Sequence, residues 1–235
     1  MGLLFKKYST YILSIIIIVF TTISFIMSSY YSSLTNITVD YSKIDLNGID
    51  NLMIVSHPTD EILFGGSHLL EDNYLVVCIT CGTDKELTHD FIDVLQKTKD
   101  KYIILGYPEY SNDERENWSN YKTNIKEDIT KIIKLKDWST IVTHNPEGEY
   151  GSLQHKLTSQ IVTSISPKKK LYYFGKYYTK KSIVNEQNKL SQINQNRLNQ
   201  KIKLIGMYKT ETYIQTEFNH MYKYEEWIKY KEWSK

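Results

Sequence analysis

The sequence predicts an α/β fold: a three-layer domain with a mainly parallel sheet, preceded by one N-terminal transmembrane helix. Short apolar runs rich in β-branched and aromatic residues alternate with longer helical patterns over most of the chain. This alternation is typical of parallel sheets with helices packed on both faces. A separate uncharged apolar run stands near the N-terminus. The 235 residues suffice for one sizeable core, so we expect one folded domain and one appendage.

Five strands and four helices make up the expected Rossmann-like arrangement. The predicted strands span residues 52–56, 74–80, 102–105, 140–143 and 171–174. The predicted helices span residues 60–70, 87–97, 121–136 and 154–164. In such sheets the ligand crevice opens at the carboxyl ends of the strands, so residues that directly follow a strand are the first candidates for function.

The chain after residue 174 is more polar, with helical patterns over residues 182–204. Its end is rich in Trp, Tyr and Lys around Trp227 and Trp233. This segment either caps the fold or lies against a membrane surface. The cap is favoured because packing onto the protein is the commoner fate of an amphipathic stripe.

The N-terminal apolar run predicts a signal anchor. Residues 11–27 carry no charge and approach the roughly 20 helical residues needed to cross hydrocarbon. Lys6 and Lys7 precede the run, so the positive-inside rule places the main domain on the lumenal or extracellular side. A cleaved or interfacial segment is the alternative. The predicted organisation is a cytoplasmic N-terminus (1–10), a transmembrane signal anchor (11–29), a stalk (30–48) and the main domain (49–235).

Charge, cysteines and glycosylation sequons add three further expectations. The net charge of +2 gives no global field for a polyanion, so a nucleic-acid partner is not expected. Cys78 and Cys81 fall in and just after a predicted strand, which favours two core cysteines over a redox CxxC motif. The sequons at Asn36 and Asn117 predict a glycoprotein if the predicted topology is right.

Two polar clusters follow predicted strands and contain residue types that bind metals. His57 and Asp60 follow the first strand, and His155 stands at the start of the helix after the fourth strand. Both clusters would meet at one crevice. Two imidazoles and a carboxylate suit a catalytic zinc ion whose fourth position stays open for water. A His and an Asp at a strand end also commonly cap the next helix, and this structural alternative stays open here.

The two clusters resemble the motifs of a known family. HisProThrAspGlu at residues 57–61 is followed by a glycine pair, and ThrHisAsnProGluGlyGluTyrGly at residues 143–151 is followed by His155. This pattern resembles the LmbE-like de-N-acetylases, which include N-acetylglucosaminyl-phosphatidylinositol de-N-acetylase (PIG-L). The likeness extends over residues 50–175 and implies an LmbE-like fold with a zinc site.

The resemblance assigns roles to individual positions. It implies that His57, Asp60 and His155 are the zinc ligands. It matches Tyr150 to an aromatic residue that reaches the carbonyl oxygen of the substrate, and Glu61 to an acidic position at the start of the helix.

Two positions depart from the family pattern. Thr59 stands where the family places the Asp thought to act as general base, and Ser152 stands where it places a His thought to stabilise the tetrahedral intermediate. The candidate substitutes are Glu61, Glu147 or Glu149 as base and His144 in place of the missing histidine. Losing one positioned proton carrier typically lowers the rate by roughly 100- to 10,000-fold.

The resemblance therefore leaves two main functional hypotheses. The first is a zinc-dependent hydrolase that removes the acetyl group from an N-acetylglucosaminyl substrate, such as N-acetylglucosaminyl-phosphatidylinositol or a related glycan. The second is an impaired member that acts as a metal-holding glycan- or lipid-binding module. A membrane-tethered interaction protein without metal is a third reading. The expected partners are an N-acetylated sugar or glycolipid and a membrane.

Overall fold

The computed structural model describes residues 15–26, 41–82, 84–111 and 113–233. These residues belong to two separate units, 1–40 and Tyr41–Lys235. In the first unit, residues 15–26 form a helix, α1, whose apolar side chains are exposed. The remainder of the predicted membrane span lies outside the described residues. Within the described ranges, no helix is both long and apolar enough to cross a bilayer. The transmembrane anchor stays a prediction.

The second unit contains a six-stranded sheet and a small hairpin. The sheet strands are β1 (Asn51–Val55), β2 (Tyr74–Cys78), β3 (Lys101–Ile104), β6 (Thr140–Thr143), β7 (Leu171–Phe174) and β8 (Trp227–Lys229), and the hairpin strands are β4 (Tyr110–Ser111) and β5 (Glu114–Arg115). The sheet order is β3-β2-β1-β6-β7-β8. All neighbouring strands are parallel except β7 and β8, which are antiparallel. The predicted mainly parallel α/β sheet is confirmed, with one antiparallel edge strand that was not predicted.

Eight helices accompany the strands in the described part of this unit. They are α2 (Asp60–Leu69), α3 (Lys85–Thr98), α4 (Lys122–Ile133), α5 (Leu153–Ile165), α6 (Ile183–Glu186), α7 (Gln195–Ile205), α8 (Ile214–Glu217) and α9 (Tyr230–Trp233). Short 3-10 turns occur at Tyr41–Lys43, Gln187–Lys189 and Asn219–Met221. The four helices predicted within the sheet region are present. The longer helical stretch predicted over residues 182–204 is divided into α6 and α7.

Two hydrophobic cores lie on opposite faces of the sheet and give the fold its three layers. Met53 and Val55 of β1 pack with buried residues of α2, α3 and α7. Leu52 and Ile54 point to the other face and pack with α4 and α5. Successive side chains of a strand point to opposite faces of the sheet. Because both faces of β1 are covered, all four of these positions are apolar. Burying each such side chain contributes about 1.5–3 kcal/mol.

The order of strands brings the two predicted motifs together. Strand β1 lies between β2 and β6, and Ile54 of β1 pairs with Thr143 of β6. The segments that follow β1 and β6 therefore start next to each other, at the carboxyl ends of two neighbouring strands. This is the topological switch point at which parallel α/β sheets bind ligands.

The aromatic C-terminal end covers the fold. The indole of Trp227 stacks on the ring of His68 with centroids 3.6 Å apart, and its Nε1–H donates to the carbonyl of Phe64 at 2.9 Å. Trp233 packs against the core on the other face of the sheet. The cap that sequence reasoning favoured is therefore present.

Two smaller predictions concern the domain edge and the cysteines. Residues 41–48, assigned to a stalk, contribute Tyr41, Ile44 and Leu46 to packing against one core. Cys78 and Cys81 are buried free thiols, and burial raises the pKa of both. They behave as the core cysteines that the sequence predicts.

Candidate metal centre

Three predicted ligands lie together at the switch point. His57 follows β1, Asp60 is the first residue of α2, and His155 lies in the first turn of α5. Nδ1 of His57 is 3.3 Å from Oδ2 of Asp60, and Nε2 of His155 is 3.4 Å from Oδ1 of Asp60. The two ring nitrogens that face each other are 3.3 Å apart. All three residues are buried.

These separations fit a metal ion. Zinc bonds to imidazole nitrogen and carboxylate oxygen are about 2.0–2.2 Å long. Tetrahedral ligands at such distances are about 3.3–3.6 Å from one another, since a tetrahedron's edge is about 1.63 times its centre-to-vertex length. The separation of 3.3 Å between the two ring nitrogens falls within this interval, and each nitrogen lies 3.3–3.4 Å from one of the two oxygens of Asp60. The buried group can therefore hold a divalent metal ion.

Hydrogen bonds on the far side of each ring set the imidazole tautomers. Nδ1 of His155 lies 2.6 Å from Oε2 of Glu149, so it carries the proton and leaves the Nε2 lone pair facing the centre. Nε2 of His57 lies 2.6 Å from Oε1 of Gln154 and 3.1 Å from Nη1 of Arg115. The shorter contact is with an oxygen that only accepts, so it favours the tautomer with the proton on Nε2 and leaves Nδ1 free to bind metal. Burial lowers the pKa of His155 to about 4, which keeps this ring neutral at pH 7.

Asp60 supplies the negative charge of the centre. Burial alone raises its pKa, but the imidazoles of His155 and His144 hold the pKa well below the usual range. The backbone N–H of His57 donates to Oδ2 of Asp60 at 2.8 Å. A carboxylate in the first turn of α2 is also stabilised by the helix dipole. Asp60 is therefore ionised and oriented before any cation binds.

A second layer of residues supports the ligands. Glu149 accepts hydrogen bonds from Nδ1 of His155, from Nδ1 of His144 at 2.9 Å and from the N–H of Asn145 at 2.8 Å. The ring of His144 stacks on His155 with centroids 3.8 Å apart, and its Nε2 accepts from the N–H of Ser56 at 3.0 Å. The side chain of His144 is fully buried behind the ligands. Its Nε2 also lies 3.3 Å from Oδ2 of Asp60, so His144 contacts two of the ligands, and its catalytic role stays a prediction.

A pocket opens above the ligands. Besides His57 and Asp60, the polar and charged residues that line it are Thr59, Glu109, Arg115, Tyr150, Glu211 and Tyr213. Sequence reasoning named Thr59 and Tyr150 but missed the other four. Those four lie in the β4–β5 region and in the segment between α7 and α8, which carry no periodic pattern or recognisable motif.

The three carboxylates suggested as a replacement base do not line this pocket among the described residues. Glu61 is fully buried, accepts a hydrogen bond from the hydroxyl of Tyr208 at 2.5 Å, and has its pKa raised to about 8 by burial. Glu147 is exposed and lies 3.8 Å from Nζ of Lys176. Glu149 is occupied by the two imidazoles behind the ligands. The proposed substitutions by Glu61, Glu147 and Glu149 are therefore not supported by their positions.

The two departures from the family pattern have structural roles. Thr59 adopts φ 84°, a left-handed conformation that is strained for a β-branched residue, and it is buried at the pocket floor. The hydroxyl of Ser152 accepts from the N–H of His155 at 3.4 Å and caps α5. Ser152 thus stabilises the helix end that presents a ligand.

Tyr150 places a hydrogen-bond donor beside the centre. Its hydroxyl lies 3.5 Å from Nε2 of His155, and the residue lines the pocket and is 46% exposed. Burial raises the pKa of Tyr150, so the phenol keeps its proton at neutral pH. The turn that carries Tyr150 needs a glycine at residue 148, because φ is +72° there and a Cβ would lie 2.5 Å from the carbonyl oxygen of Ser152.

Gln154 connects the pocket rim to a ligand. Its side-chain NH2 donates to the carbonyls of Glu109 and Glu116, both at 3.0 Å, while its Oε1 accepts from His57. Nη1 of Arg115 donates to Oε1 of Glu109 at 2.7 Å and lies 3.3 Å from Oε1 of Gln154. One buried amide therefore fixes the tautomer of His57 and holds the β4–β5 hairpin over the site.

Comparisons with known proteins bear on the fold. No family model matches the chain. An uncharacterized protein of Acanthamoeba polyphaga mimivirus is 33% identical over 152 residues, covering 57% of this chain and 64% of that protein. The chain thus matches less than two thirds of the relative's length.

Two solved structures share the architecture. The A40926 pseudoaglycone deacetylase Dbv21 has a TM-score of 0.55 at 14% identity, with 72% of this chain and 85% of that chain covered. The 4-carboxy-2-hydroxymuconate hydratase GalB from Pseudomonas putida KT2440 has a TM-score of 0.50 at 9% identity, with 74% and 84% covered. At these identities the similarity is one of fold, and it agrees with the mainly parallel α/β architecture.

Proposed function

We propose that this chain is a zinc-dependent hydrolase that removes the acetyl group from an N-acetylglucosaminyl substrate. The observation that carries the proposal is a buried cluster at the floor of an open pocket, in which two imidazole nitrogens lie 3.3 Å apart and each lies 3.3–3.4 Å from one of the two carboxylate oxygens of Asp60. A fold shared with a protein described as a deacetylase adds support.

The donor set favours zinc over other common cations. Two neutral imidazoles and one carboxylate are typical of catalytic zinc, whereas Mg²⁺ and Ca²⁺ prefer oxygen ligands alone. A divalent cation at an open site polarises a carbonyl group and lowers the pKa of water. The tautomers set by Glu149 and Gln154 present both nitrogen lone pairs without a change of protonation.

The pocket residues provide the remaining contacts for an amide substrate. The protonated phenol of Tyr150 donates a hydrogen bond to the amide oxygen as negative charge develops there. The paired Arg115 and Glu109 at the rim offer a donor and an acceptor for sugar hydroxyls. Leu63 and Phe218 cover apolar parts of the wall. This combination suits an N-acetylated sugar, either free or as part of a glycolipid.

A binding module is the second candidate, and the residues at positions 59 and 152 favour it. Thr59 has no carboxylate, and the hydroxyl of Ser152 is used to cap α5. A chain that keeps the ligands but lacks a proton acceptor would hold metal and sugar without turnover. The two candidates differ in acetate release, not in metal content.

Both candidates can be tested with the full-length chain loaded with zinc. We expect acetate and a new primary amine to be released from methyl N-acetyl-glucosaminide, and we expect His57→Ala to abolish this release. His89→Ala is the matched control, because the side chain of His89 is 75% exposed and lies outside the pocket. Zinc and sugar binding without acetate release would support the binding module. Absence of zinc binding would contradict both.

A further inference from the structure

We propose that Glu211 is the proton acceptor of the site, replacing the carboxylate that is missing at position 59. This inference rests on the proposed hydrolase function. Glu211 lies in the segment between α7 and α8, far along the chain from both motifs, and its side chain lines the pocket above the ligands. A general base needs a carboxylate or imidazole within reach of the water in that pocket.

Elimination among the described pocket residues leaves few alternatives. The carboxylates that line the pocket there are Asp60, Glu109 and Glu211. Asp60 is a ligand. Glu109 accepts a hydrogen bond from Nη1 of Arg115 at 2.7 Å, and this ion pair favours the charged form of Glu109 and weakens it as a proton acceptor. Among the described pocket carboxylates, Glu211 is therefore the one that is neither a ligand nor paired with a cation.

The backbone presents Glu211 in a fixed position. Oδ2 of Asp90, a buried residue of α3, accepts from the N–H of Lys209 at 2.8 Å and from the N–H and hydroxyl of Thr210 at 3.3 and 3.2 Å. The carbonyl of Glu211 accepts from the N–H of Ile214 at 3.1 Å, where α8 begins. The residue is thus held between two anchored points, as catalytic geometry requires.

The surroundings of Glu211 make its carboxylate more basic than that of a glutamate in water. Partial burial raises its pKa, and the negative charges of Glu109 and Asp84 add to this effect. A hydrogen bond from Tyr213 and the charge of His57 oppose the rise but do not cancel it. A base whose pKa is raised toward the working pH accepts a proton from water and returns it later.

Glu211 alone can carry the proton that amide hydrolysis moves from water to the leaving nitrogen. Water loses a proton to the carboxylate of Glu211 while its oxygen forms a bond to the amide carbonyl carbon. The C–N bond then breaks, and the proton held by Glu211 passes to the leaving nitrogen. The products are acetic acid and the free amine of the sugar. The acid then ionises to acetate by releasing its proton to the amine or to solvent, and no oxidant or other co-reactant is needed.

The test compares Glu211→Gln with Glu217→Gln in the full-length, zinc-loaded chain with methyl N-acetyl-glucosaminide. Glu217 is an exposed residue of the adjacent helix α8 and does not line the pocket, so its variant should keep the wild-type rate. We expect Glu211→Gln to lower kcat by roughly 100- to 10,000-fold. Zinc content and KM should stay within about twofold, and the acid limb of the kcat–pH profile should disappear.

Two further variants keep the result decisive. Glu211→Asp retains the charge and therefore the fold, but should lower kcat because its carboxylate is drawn back by one methylene. Glu109→Gln should reduce kcat less than Glu211→Gln does. A loss of less than tenfold in Glu211→Gln, or a larger loss in Glu109→Gln, overturns the inference while the hydrolase function stands. An inactive wild-type chain instead contradicts the proposed function itself.

Discussion

Replacement of Gln154 by leucine tests the link between the pocket rim and the ligand His57. The side chain of Gln154 is fully buried and makes three close hydrogen bonds, to His57 at 2.6 Å and to the carbonyls of Glu109 and Glu116 at 3.0 Å each. Leucine has a similar volume but leaves all three partners without this bond. Each unsatisfied buried polar group costs about 1–3 kcal/mol.

The expected loss of stability is smaller than the sum of these costs. The hairpin that carries Glu109 and Arg115 can move and let water reach its carbonyls, so we expect the free energy of unfolding to fall by about 2–4 kcal/mol. His57 also loses the acceptor that fixes its tautomer. Removing such a partner of a metal ligand typically weakens metal affinity by about 10- to 100-fold, equivalent to about 1.4–2.8 kcal/mol.

The assay is a zinc titration of Gln154→Leu in competition with a chromophoric chelator, together with urea unfolding of the metal-free chain. Gln160→Leu is the matched control, since Gln160 is an exposed residue of the same helix α5. Its zinc affinity should equal that of the wild type. Zinc affinity of Gln154→Leu within twofold of the wild type would refute the reasoning, because the tautomer of His57 would then not depend on Gln154.

Three other changes have defined outcomes. Breaking the buried Lys201–Glu225 ion pair, whose atoms are 2.7 Å apart, by Lys201→Met should reduce the free energy of unfolding by about 3–5 kcal/mol in urea titrations at pH 7. Burial raises the pKa of Glu225, but Lys201 and His68 lower it further to about 2, so this stabilisation is present above the unfolded pKa and is lost as pH falls toward 2. Gly148→Ala should destabilise the chain by more than about 1 kcal/mol in thermal unfolding, because φ there is +72°. Tyr150→Phe should lower kcat for acetate release by about 10- to 1,000-fold while zinc affinity stays unchanged.

For each of these three predictions, one outcome would contradict the expected result. Equal stability losses for Lys201→Met at pH 7 and pH 2 would contradict the assigned pKa of Glu225. A Gly148→Ala chain as stable as the wild type would mean that the turn accepts a Cβ by moving. A Tyr150→Phe variant with wild-type kcat would remove the phenol from the proposed chemistry.

The strands and helices near the motifs could be predicted from the sequence because their patterns are local. All five predicted strands and the four helices between them are present, with bounds that differ by a few residues. Strand β8 could not be predicted in the same way. It is three residues long, and it forms because Trp227–Lys229 pairs with β7 and because Trp227 packs on His68. These are contacts between residues distant in sequence.

The residues of the candidate site also fall into those that local sequence patterns predict and those that only the tertiary structure reveals. His57, Asp60 and His155 were predictable because each directly follows a strand or begins a helix. Only the tertiary structure brings the other polar residues to the pocket: Arg115 comes from the two-residue strand β5, and Glu109, Glu211 and Tyr213 come from irregular segments. The packing also separates residues that the sequence places side by side. Glu61 follows a ligand directly, yet it is buried against Tyr208 outside the pocket.

The metal content of the purified full-length chain tests the central claim most directly. After equilibration with zinc and removal of the excess, elemental analysis should give one zinc ion per wild-type chain. It should give none for the folded chain in which His57, Asp60 and His155 are all replaced by alanine. A wild-type chain without bound zinc, or a triple variant that retains it, would contradict the account.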